Sequence, residues 1–435
     1  MVDINKHTPS LRFPEFLNDG EWKEHTFSDV FTFVPNNTLS RANLNNENGS
    51  VQNIHYGDIL IKFGEYLNVQ TEHLPFISNV QDIERYRKAK LANGDVIIAD
   101  TAEDETVGKC TELVGIADEF IVSGLHTIAV RPNNTFATGY LGFYMNSNSY
   151  REQLKRVMQG VKVLSVSKTA ISQTRLRFPS SRIEQGRIAD CLTFLDSYIY
   201  DTKSKLQQLK AHKRGLMQRL FPTKGKTVPE LRFPEFRNSE EWKDYAIRDI
   251  FERITERNRI GCRNVLTISA QYGIVSQSEY FNKNVAAADL SNYYLIKRGD
   301  FAYNKSRSQG YTYGIIRPLN LYKDGIVSPI YLCFRIKQGI TCCRDFLEYL
   351  FDTVPLLDNL GEIAQEGARN HGLLNIATED FFDKMRLTIP VTIDEQQKIA
   401  DCLSSINDEI KSYEDKITAL ELHKKGLMQQ LFPKL

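Results

Sequence analysis

An internal duplication constrains this chain more than any other feature of its sequence. The motif LRFPEF at residues 11–16 recurs at residues 231–236, an offset of 220. Residues 180–222 and 391–433 agree at 19 of 43 positions when they are aligned without gaps. Agreement of this extent indicates that the 435 residues contain two copies of one unit, so each element of the shared parts must occur twice.

The two copies agree at their ends and diverge between them. Residues 25–160 and 245–370 align only at isolated points. These points are Gly94-Asp95 with Gly299-Asp300, and Ser123 with Ser328. The pattern suggests a frame that was duplicated and kept, carrying two inserts that were free to differ. We therefore predict two recognition modules on one frame.

The later part of each copy carries the heptad pattern of a long helix. Residues 182–219 lie between Pro179 and Pro222 and contain no proline. Apolar residues alternate there in steps of four and three, the spacing of a coiled-coil seam, which Lys213 and Lys424 interrupt at equivalent places. We predict two long helices that pack on each other about an internal pseudo-twofold axis; the alternative is two amphipathic helices in ordinary domain cores. The predicted seam consists of Leu192, Leu195, Ile199, Leu206 and Leu209 with Leu403, Ile406, Ile410, Ile417 and Leu420.

Composition favours a cytoplasmic globular protein. The 55 Lys+Arg and 54 Asp+Glu give a formal charge of +1, and 41% of residues are hydrophobic, as in ordinary globular domains. No apolar run is long enough for a membrane span, and the first ten residues lack the apolar stretch of a signal peptide. The seven cysteines form no C-x-x-C pair, which favours reduced thiols over disulfides or a zinc site. We expect no metal and no membrane partner.

The sequence contains no recognisable catalytic or cofactor motif. A phosphate-binding loop, a dinucleotide-binding glycine motif, a zinc-protease motif and a nucleophile elbow are all absent. His55 and Asp58 form the one pair that suggests catalysis, but an aromatic residue followed by Gly-Asp is more typical of a turn. We expect neither catalytic residues nor a cofactor on this chain.

Charge is segregated along the sequence although the total is balanced. Residues 301–323 contain no acid and combine four basic residues with four tyrosines; residues 153–183 and 202–229 also lack acids. Basic groups neutralise phosphates, and Arg, Asn and Gln read base edges. These stretches predict DNA binding, although each alone is equally compatible with a solvated basic surface. Residues 95–119 are acidic, and we expect them to face away from phosphate.

The repeated motifs, taken together and in order, resemble those of one family. A proline precedes Glu184-Gln185 and Glu395-Gln396 at the start of each long helix; LRFPEF with a downstream tryptophan opens each copy, and Gly-Leu-Met-Gln…Leu-Phe-Pro closes it. This set resembles the specificity subunit of type I restriction-modification systems over essentially the whole chain. The resemblance implies an α+β fold in which two mixed α/β target-recognition domains are separated by two long conserved helices that form an antiparallel coiled coil.

The resemblance also implies a division of the chain into five segments. They are an N-terminal conserved segment (1–24), a first target-recognition domain (25–179), a central conserved helix (180–222), a second target-recognition domain (223–390, with the conserved entry segment 231–243) and a C-terminal conserved helix (391–435).

The function implied by the resemblance is sequence-specific binding of double-stranded DNA. Each domain would read one half of a bipartite target, while the helices would set the spacer and dock two methyltransferase subunits; two restriction subunits would complete the complex. S-adenosylmethionine, ATP and Mg²⁺ would belong to those partners, with methylation at adenine N6. The alternatives are a coiled-coil adaptor without DNA and a stand-alone DNA-modifying enzyme with an unrecognised site.

The family does not fix the residues that contact bases, so candidates rest on composition and expected loop placement. The candidates are Lys305, Arg307, Gln309, Tyr311, Arg369 and Asn370 in the second insert, and Lys162 and His55 in the first. A purely structural loop is the alternative for residues 367–372.

Overall fold

A computed structural model describes residues 8–160, 162–281, 289–307, 311–364 and 374–433. It divides into two compact units. The first unit is Met1–Lys203 with Asp415–Leu435, and the second is Ser204–Glu414. Within the described residues, no helix has the length and apolar composition that a membrane span requires.

The first unit is a mixed α/β domain followed by the start of a long helix. Its strands are β1 (Lys23–Thr26), β2 (Phe31–Val34), β3 (Leu44–Asn45), β4 (Gln52–Ile54), β5 (Tyr66–Asn68), β6 (Phe76–Ile77), β7 (Val96–Ala99), β8 (Thr101–Ala102), β9 (Cys110–Val114), β10 (Ile121–Ser123), β11 (Thr127–Pro132), β12 (Leu164–Ser165) and β13 (Arg175–Phe178). Its helices are α1 (Phe27–Val30), α2 (Tyr56–Ile61), α3 (Tyr140–Asn146), α4 (Asn148–Val157), α5 (Lys168–Ser172) and α6 (Arg182–Leu220), with 3₁₀ turns at Pro14–Phe16, Arg41–Asn43 and Ile83–Ala89.

A five-stranded sheet forms the centre of this domain, in the order β2-β11-β7-β9-β5. All its pairs are antiparallel except β5 with β9. Every residue of β7 is buried, as expected for a central strand covered on both faces, and the strand follows a left-handed turn at Gly94 with φ of 86°. A second sheet has the order β10-β4-β6-β3.

The second unit repeats this plan. Its strands are β14 (Lys243–Ala246), β15 (Phe251–Arg253), β16 (Leu266–Ser269), β17 (Gly273–Ser276), β18 (Tyr294–Lys297), β19 (Phe301–Asn304), β20 (Ile315–Pro318), β21 (Asp324–Val327), β22 (Leu332–Ile336) and β23 (Arg386–Ile389). Its helices are α7 (Ile247–Ile250), α8 (Gln277–Phe281), α9 (Arg344–Leu350), α10 (Val354–Ile363) and α11 (Thr378–Lys384), with a 3₁₀ turn at Pro234–Phe236. The last helix, α12 (Ile393–Gln430), begins in this unit, and its residues from Asp415 onward belong to the first. The antiparallel order β15-β22-β19-β20 matches β2-β11-β7-β9 of the first unit.

The aligned Gly-Asp pairs occupy the same place in both sheets. Asp95 accepts the backbone N–H of Ala92 and two bonds from the Arg131 guanidinium, at 2.8 Å and 2.7 Å. Asp300 likewise accepts the backbone N–H of Lys297 at 2.8 Å and an Arg335 N–H at 2.9 Å. The two inserts therefore have equivalent Gly-Asp turns, although their sequences align only at isolated points.

The predicted long helices are present as α6 and α12, and they run antiparallel where they meet. In the first unit, Lys203 of α6 contacts Glu421 of α12, and Asp196, earlier in α6, contacts Lys424, later in α12. In the second unit Lys210 of α6 contacts Glu414 of α12. These pairings confirm the antiparallel helix pair implied by the resemblance.

All ten predicted seam residues are buried or half-buried, but only some of them belong to the hydrophobic core of a domain. Leu192 belongs to the hydrophobic core of the first unit and Leu403 to that of the second. Leu195, Ile199, Leu209 and Ile417 are buried outside those cores. Two seam residues thus pack into the domain cores, and four others are buried along the helices outside those cores.

The repeated motifs form one buried cluster in each unit. Glu184, at the start of α6, accepts two hydrogen bonds from Arg12 of the LRFPEF motif, at 2.7 Å and 2.8 Å, and one from the Trp22 indole at 3.2 Å. Glu395 does the same with Arg232, at 2.7 Å twice, and with Trp242 at 3.1 Å. The recurring Arg, Trp and Glu therefore fix the entry segment on the long helix.

The glutamine that follows each of these glutamates ties the helix to the domain. Gln185 accepts the backbone N–H of Ala137 at 3.0 Å and donates to the Pro179 carbonyl at 2.9 Å. Gln396 accepts the backbone N–H of Cys343 at 2.9 Å and donates to the Pro390 carbonyl at 3.0 Å. The Pro and Glu-Gln motif is thus a buried joint that positions each domain on its helix.

Candidate DNA-recognition surfaces

The second-unit candidates that the structure describes lie at the end of β19. Lys305 and Arg307 follow this strand directly, and Tyr311 precedes β20, the neighbouring strand. Arg307 is exposed, whereas Lys305 is half-buried. The remaining three candidates, Gln309, Arg369 and Asn370, lie outside the described residues.

Lys305 has a partly desolvated side chain. Burial lowers its pKa from the ordinary lysine value, and the nearby charge of Arg253 lowers it further. The Lys305 carbonyl accepts the backbone N–H of Leu374 at 3.0 Å. The backbone is thus fixed. Contact of the ammonium group with an anionic or electronegative partner would offset the cost of its desolvation.

Tyr311 is engaged within its own domain. The Arg317 guanidinium lies 5.9 Å from its ring centroid and donates to its hydroxyl at 3.4 Å. Arg317 is itself buried and donates to Asp352 at 2.8 Å. Tyr311 therefore anchors the start of β20 through a cation–π contact, and its hydroxyl is already used.

In the first unit, His55 lies below the surface rather than on it. Its side chain is buried, and its Nδ1 accepts the backbone N–H of Gly57 at the start of α2, at 3.1 Å. Burial lowers its pKa, and the charge of Arg41 adds to this. Asp58, its partner in the catalytic alternative, instead accepts two hydrogen bonds from Arg41, at 2.8 Å and 3.0 Å.

Lys162 is exposed and lies two residues before β12. β12 pairs with β8, so that Leu164 lies opposite Ala102. The ring of His55 contacts Tyr56, which contacts His126 edge-on at 5.3 Å. Lys162 is thus linked to the residues after β7 through β12, and His55 through Tyr56 and His126.

This position corresponds to that of Lys305 in the second unit. Asp100 follows β7 as Lys305 follows β19, and each lies five residues after the aligned Asp95 or Asp300. The Asp100 carbonyl accepts the Val166 N–H at 2.9 Å, matching the bond from Leu374 to Lys305. Asp100 is not among the residues predicted from the sequence, although the Gly-Asp alignment was a signal that could have found it.

Much of the predicted basic charge is paired within the domains. In the 153–183 stretch, Arg177 is buried and bonded to Glu24 at 2.6 Å, and Lys155 contacts Glu105 and Glu152. In the 202–229 stretch, four basic residues contact acids: Lys203 contacts Glu421, Lys210 contacts Glu414, Arg219 contacts Glu230 and Lys224 contacts Glu362. A run of basic residues in this sequence is therefore not in itself a free basic surface.

The fold and its repeated joints define a class of protein: a duplicated frame that carries two α/β domains on long helices. Residues 19–211 match the family described as the type I restriction modification DNA specificity domain. The match covers 193 of the 435 residues and agrees with the resemblance that the repeated motifs carry.

Among curated proteins, a similar one is described as the type I restriction enzyme MjaX specificity subunit of Methanocaldococcus jannaschii. The two are 23% identical over 211 residues, which is 47% of this chain and 46% of that protein. The match thus spans about half the length of the curated relative.

Two solved structures share the fold. The type I restriction-modification S subunit from M. genitalium matches with a TM-score of 0.55 at 11% identity, over 98% of this chain and all of that chain. A chain from a structure describing complex assembly and conformational transition of the type I restriction-modification system matches with a TM-score of 0.51 at 14% identity, over 95% of this chain and 98% of the other.

Proposed function

We propose that this chain is the subunit that selects the DNA target of a type I restriction-modification complex. Each α/β domain reads one half of a bipartite target in double-stranded DNA. One observation carries the proposal: the two units have the same conserved contacts but different side chains at equivalent strand ends. Both units contain the Arg–Trp–Glu cluster, whereas Asp100 follows β7 and Lys305 follows β19. A duplicated frame with divergent surfaces suits two different half-sites.

The helix pair sets the spacer between the half-sites and docks two methyltransferase subunits, and two restriction subunits join that assembly. One structure with the same fold comes from work on assembly of a type I system, which supports this role. S-adenosylmethionine, ATP and Mg²⁺ belong to the partner subunits, and this chain contributes binding rather than catalysis. Incubating the purified chain alone with DNA, Mg²⁺ and S-adenosylmethionine tests the last point; methyl transfer or cleavage by the chain alone would contradict it.

The proposed target recognition is tested by mapping N6-methyladenine in cells that express the methyltransferase partner with and without this chain. We expect a bipartite motif that occurs only when the chain is present. No new methylation, with the partner shown to be expressed and bound, would overturn the proposal.

Binding of the purified complex to a duplex with that motif provides an independent check. Because phosphate contacts release counterions, affinity should fall steeply as salt is added. It should also fall when one base pair is inserted into the spacer. An affinity indifferent to spacer length would contradict the role given to the helices.

A further inference from the structure

The loop before β11 approaches Asp100 in an unusual conformation. His126 has a left-handed backbone, with φ of 56°, which non-glycine residues rarely adopt. The loop is fixed on both sides: Thr127 donates to the Gly124 carbonyl at 2.6 Å, and the Asp100 N–H donates to the His126 carbonyl at 3.1 Å. Strain of this kind is retained where the surrounding structure imposes it, and it commonly marks binding sites.

The side chains at this point form a small, partly exposed polar surface. The Nδ1 atom of His126 lies 3.3 Å from Oδ1 of Asp100, and the Thr101 hydroxyl donates to the same oxygen at 2.8 Å. His126 is 45% exposed and Asp100 25% exposed. Among the described residues, no donor contacts Oδ2 of Asp100. The contacts to Oδ1 therefore orient the Asp100 carboxylate, and Oδ2 is available as an acceptor.

Acidic charge here is compatible with DNA only if the partner is a base edge rather than a phosphate. A carboxylate repels phosphates but accepts hydrogen bonds from the exocyclic amino groups that cytosine and adenine present in the major groove. Residues 95–119 are expected from their acidic sequence to face away from phosphate, and a contact of Asp100 with a base amino group agrees with that expectation. The lysine at the equivalent position of the second unit, Lys305, has the opposite chemistry and suits base acceptors such as guanine O6 and N7.

We infer that Asp100 and His126, flanked by Tyr56, form the base-reading surface of the first domain, where Asp100 accepts a hydrogen bond from a cytosine or adenine amino group. This inference rests on the proposed function. His126 orients the carboxylate and covers one side of it, while Tyr56 supports the imidazole by its edge-on contact. The two half-sites are then read by opposite chemistry at the same structural position: an acceptor in the first domain and a donor in the second.

The test uses two variants of the first domain in the complete complex. Asp100→Asn keeps the shape and the oxygen that Thr101 and His126 contact, but exchanges the free acceptor for a donor. His126→Gly removes the imidazole and also relieves the left-handed strain, so a loss of recognition cannot be attributed to a strained backbone. Asp118→Asn, the same change at an exposed position of the same domain, is the matched control.

The measurement is the N6-methyladenine motif of each variant in cells, followed by binding of each purified complex to duplexes in which every base pair of the motif is changed in turn. We expect Asp100→Asn and His126→Gly to weaken binding of the original motif by about 5- to 150-fold and to relax the preference for one cytosine or adenine, in one half-site only. Lys305→Ala should relax the other half-site, and Asp118→Asn should change neither.

Two results would overturn the inference, and they differ in what else they affect. If the wild-type complex has a bipartite motif but Asp100→Asn and His126→Gly leave the preference at every base pair unchanged, or alter the same half-site as Lys305→Ala, the assigned surface is wrong while the proposed function stands. If the wild-type chain directs no motif at all, the proposed function fails together with this inference.

Discussion

The two seam lysines show how the duplicated units differ. Lys424, in the first unit, contacts Asp196 at 2.6 Å and Glu65 at 3.0 Å. Burial alone would lower its pKa, but the two carboxylates outweigh this effect and raise it. Lys213, its equivalent in the second unit, lies over the ring of Tyr349 at 5.5 Å, and burial lowers its pKa. The same residue is thus stabilised as a cation in one unit and desolvated in the other.

The difference arises because each lysine meets a divergent insert. Asp196 of α6 corresponds to Asn407 of α12, and Asn407 donates to the Tyr349 hydroxyl at 2.7 Å. Glu65 and Tyr349 belong to the two inserts. By contrast, the Arg–Trp–Glu clusters, made only of repeated motifs, agree within 0.1 Å. Contacts among repeated motifs have been kept, and contacts from helix to insert have changed with the insert.

The largest expected effect tests the conserved clusters. Glu184→Ala leaves Arg12 buried without its carboxylate, and Glu395→Ala does the same to Arg232. We expect each to lower the free energy of unfolding by about 3–5 kcal/mol, as for other broken buried ion pairs. Denaturant unfolding measures this, and Glu84→Ala, which removes an exposed pair with Arg87, should cost no more than about 0.5 kcal/mol. If the losses of unfolding free energy differ by more than about 2 kcal/mol, the two clusters are not energetically equivalent.

Glu112 gives the first unit a pH dependence that the equivalent position of the second unit lacks. Glu112 of β9 is buried and accepts the backbone N–H groups of Gly139 and Gly142, yet burial raises its pKa from 4.5 to about 7. The folded state then binds a proton that the unfolded state has released, so stability falls as pH rises from about 4.5 through 7, by at most about 3 kcal/mol from this group. The equivalent residue on β20 is Pro318, which does not titrate.

Unfolding at several pH values checks this, with Glu112→Gln as the comparison. The variant should lose the part of the pH dependence between about 4.5 and 7 that belongs to Glu112. An identical pH profile for wild type and variant would show that Glu112 does not titrate in this range.

The seam lysines themselves should respond oppositely to the same substitution. Lys424→Met leaves Glu65 and Asp196 without their cation and should cost about 1–3 kcal/mol. Lys213→Met removes a desolvated charge and should change stability by no more than about 1 kcal/mol, in either direction. Equal losses in denaturant unfolding would mean that the two environments do not differ as their contacts indicate.

The smallest effect concerns the exposed pairs between the helices. Lys203–Glu421 and Lys210–Glu414 are each 2.6 Å and about half exposed. Residue 203 corresponds to 414 and residue 210 to 421, so both lysines lie on α6 and both glutamates on α12. Lys203→Glu should cost about 0.5–1 kcal/mol, adding Glu421→Lys should restore most of it, and high salt should reduce both effects. A double-mutant cycle with no coupling at low salt would show that the pair contributes nothing.

The frame could be predicted from sequence because its signals are periodic and repeated. The heptad spacing identified α6 and α12, and the recurrence of LRFPEF and Glu-Gln identified the joints, although not which atoms meet there. The Gly94-Asp95 and Gly299-Asp300 alignment marked a shared turn whose arginine partners, Arg131 and Arg335, lie 36 and 35 residues away. Contacts at such separations leave no pattern in a single sequence.

The proposed recognition surface was harder to predict for the same reason. Basic stretches indicated DNA binding, but Arg177 is neutralised by Glu24 from a segment 153 residues away. His126 stood out in no motif, because its left-handed backbone is a property of the folded loop. Asp100 lies in an acidic stretch, and acidic stretches do not by themselves indicate DNA binding. The choice of Lys305, Arg307, Lys162 and His55 stays a prediction, although the structure places these four around equivalent strand ends.

The most direct test of the central claim, that one frame carries two interchangeable reading domains, is to make the domains identical. Residues 25–179 are replaced by a second copy of residues 245–390, so that each insert lies next to an Arg–Trp–Glu cluster of the same composition. The N6-methyladenine motif is then mapped in cells that contain the methyltransferase partner. We predict a bipartite motif in which both halves have the sequence of the original second half. A motif that retains the original first half, or whose halves still differ, would contradict the claim.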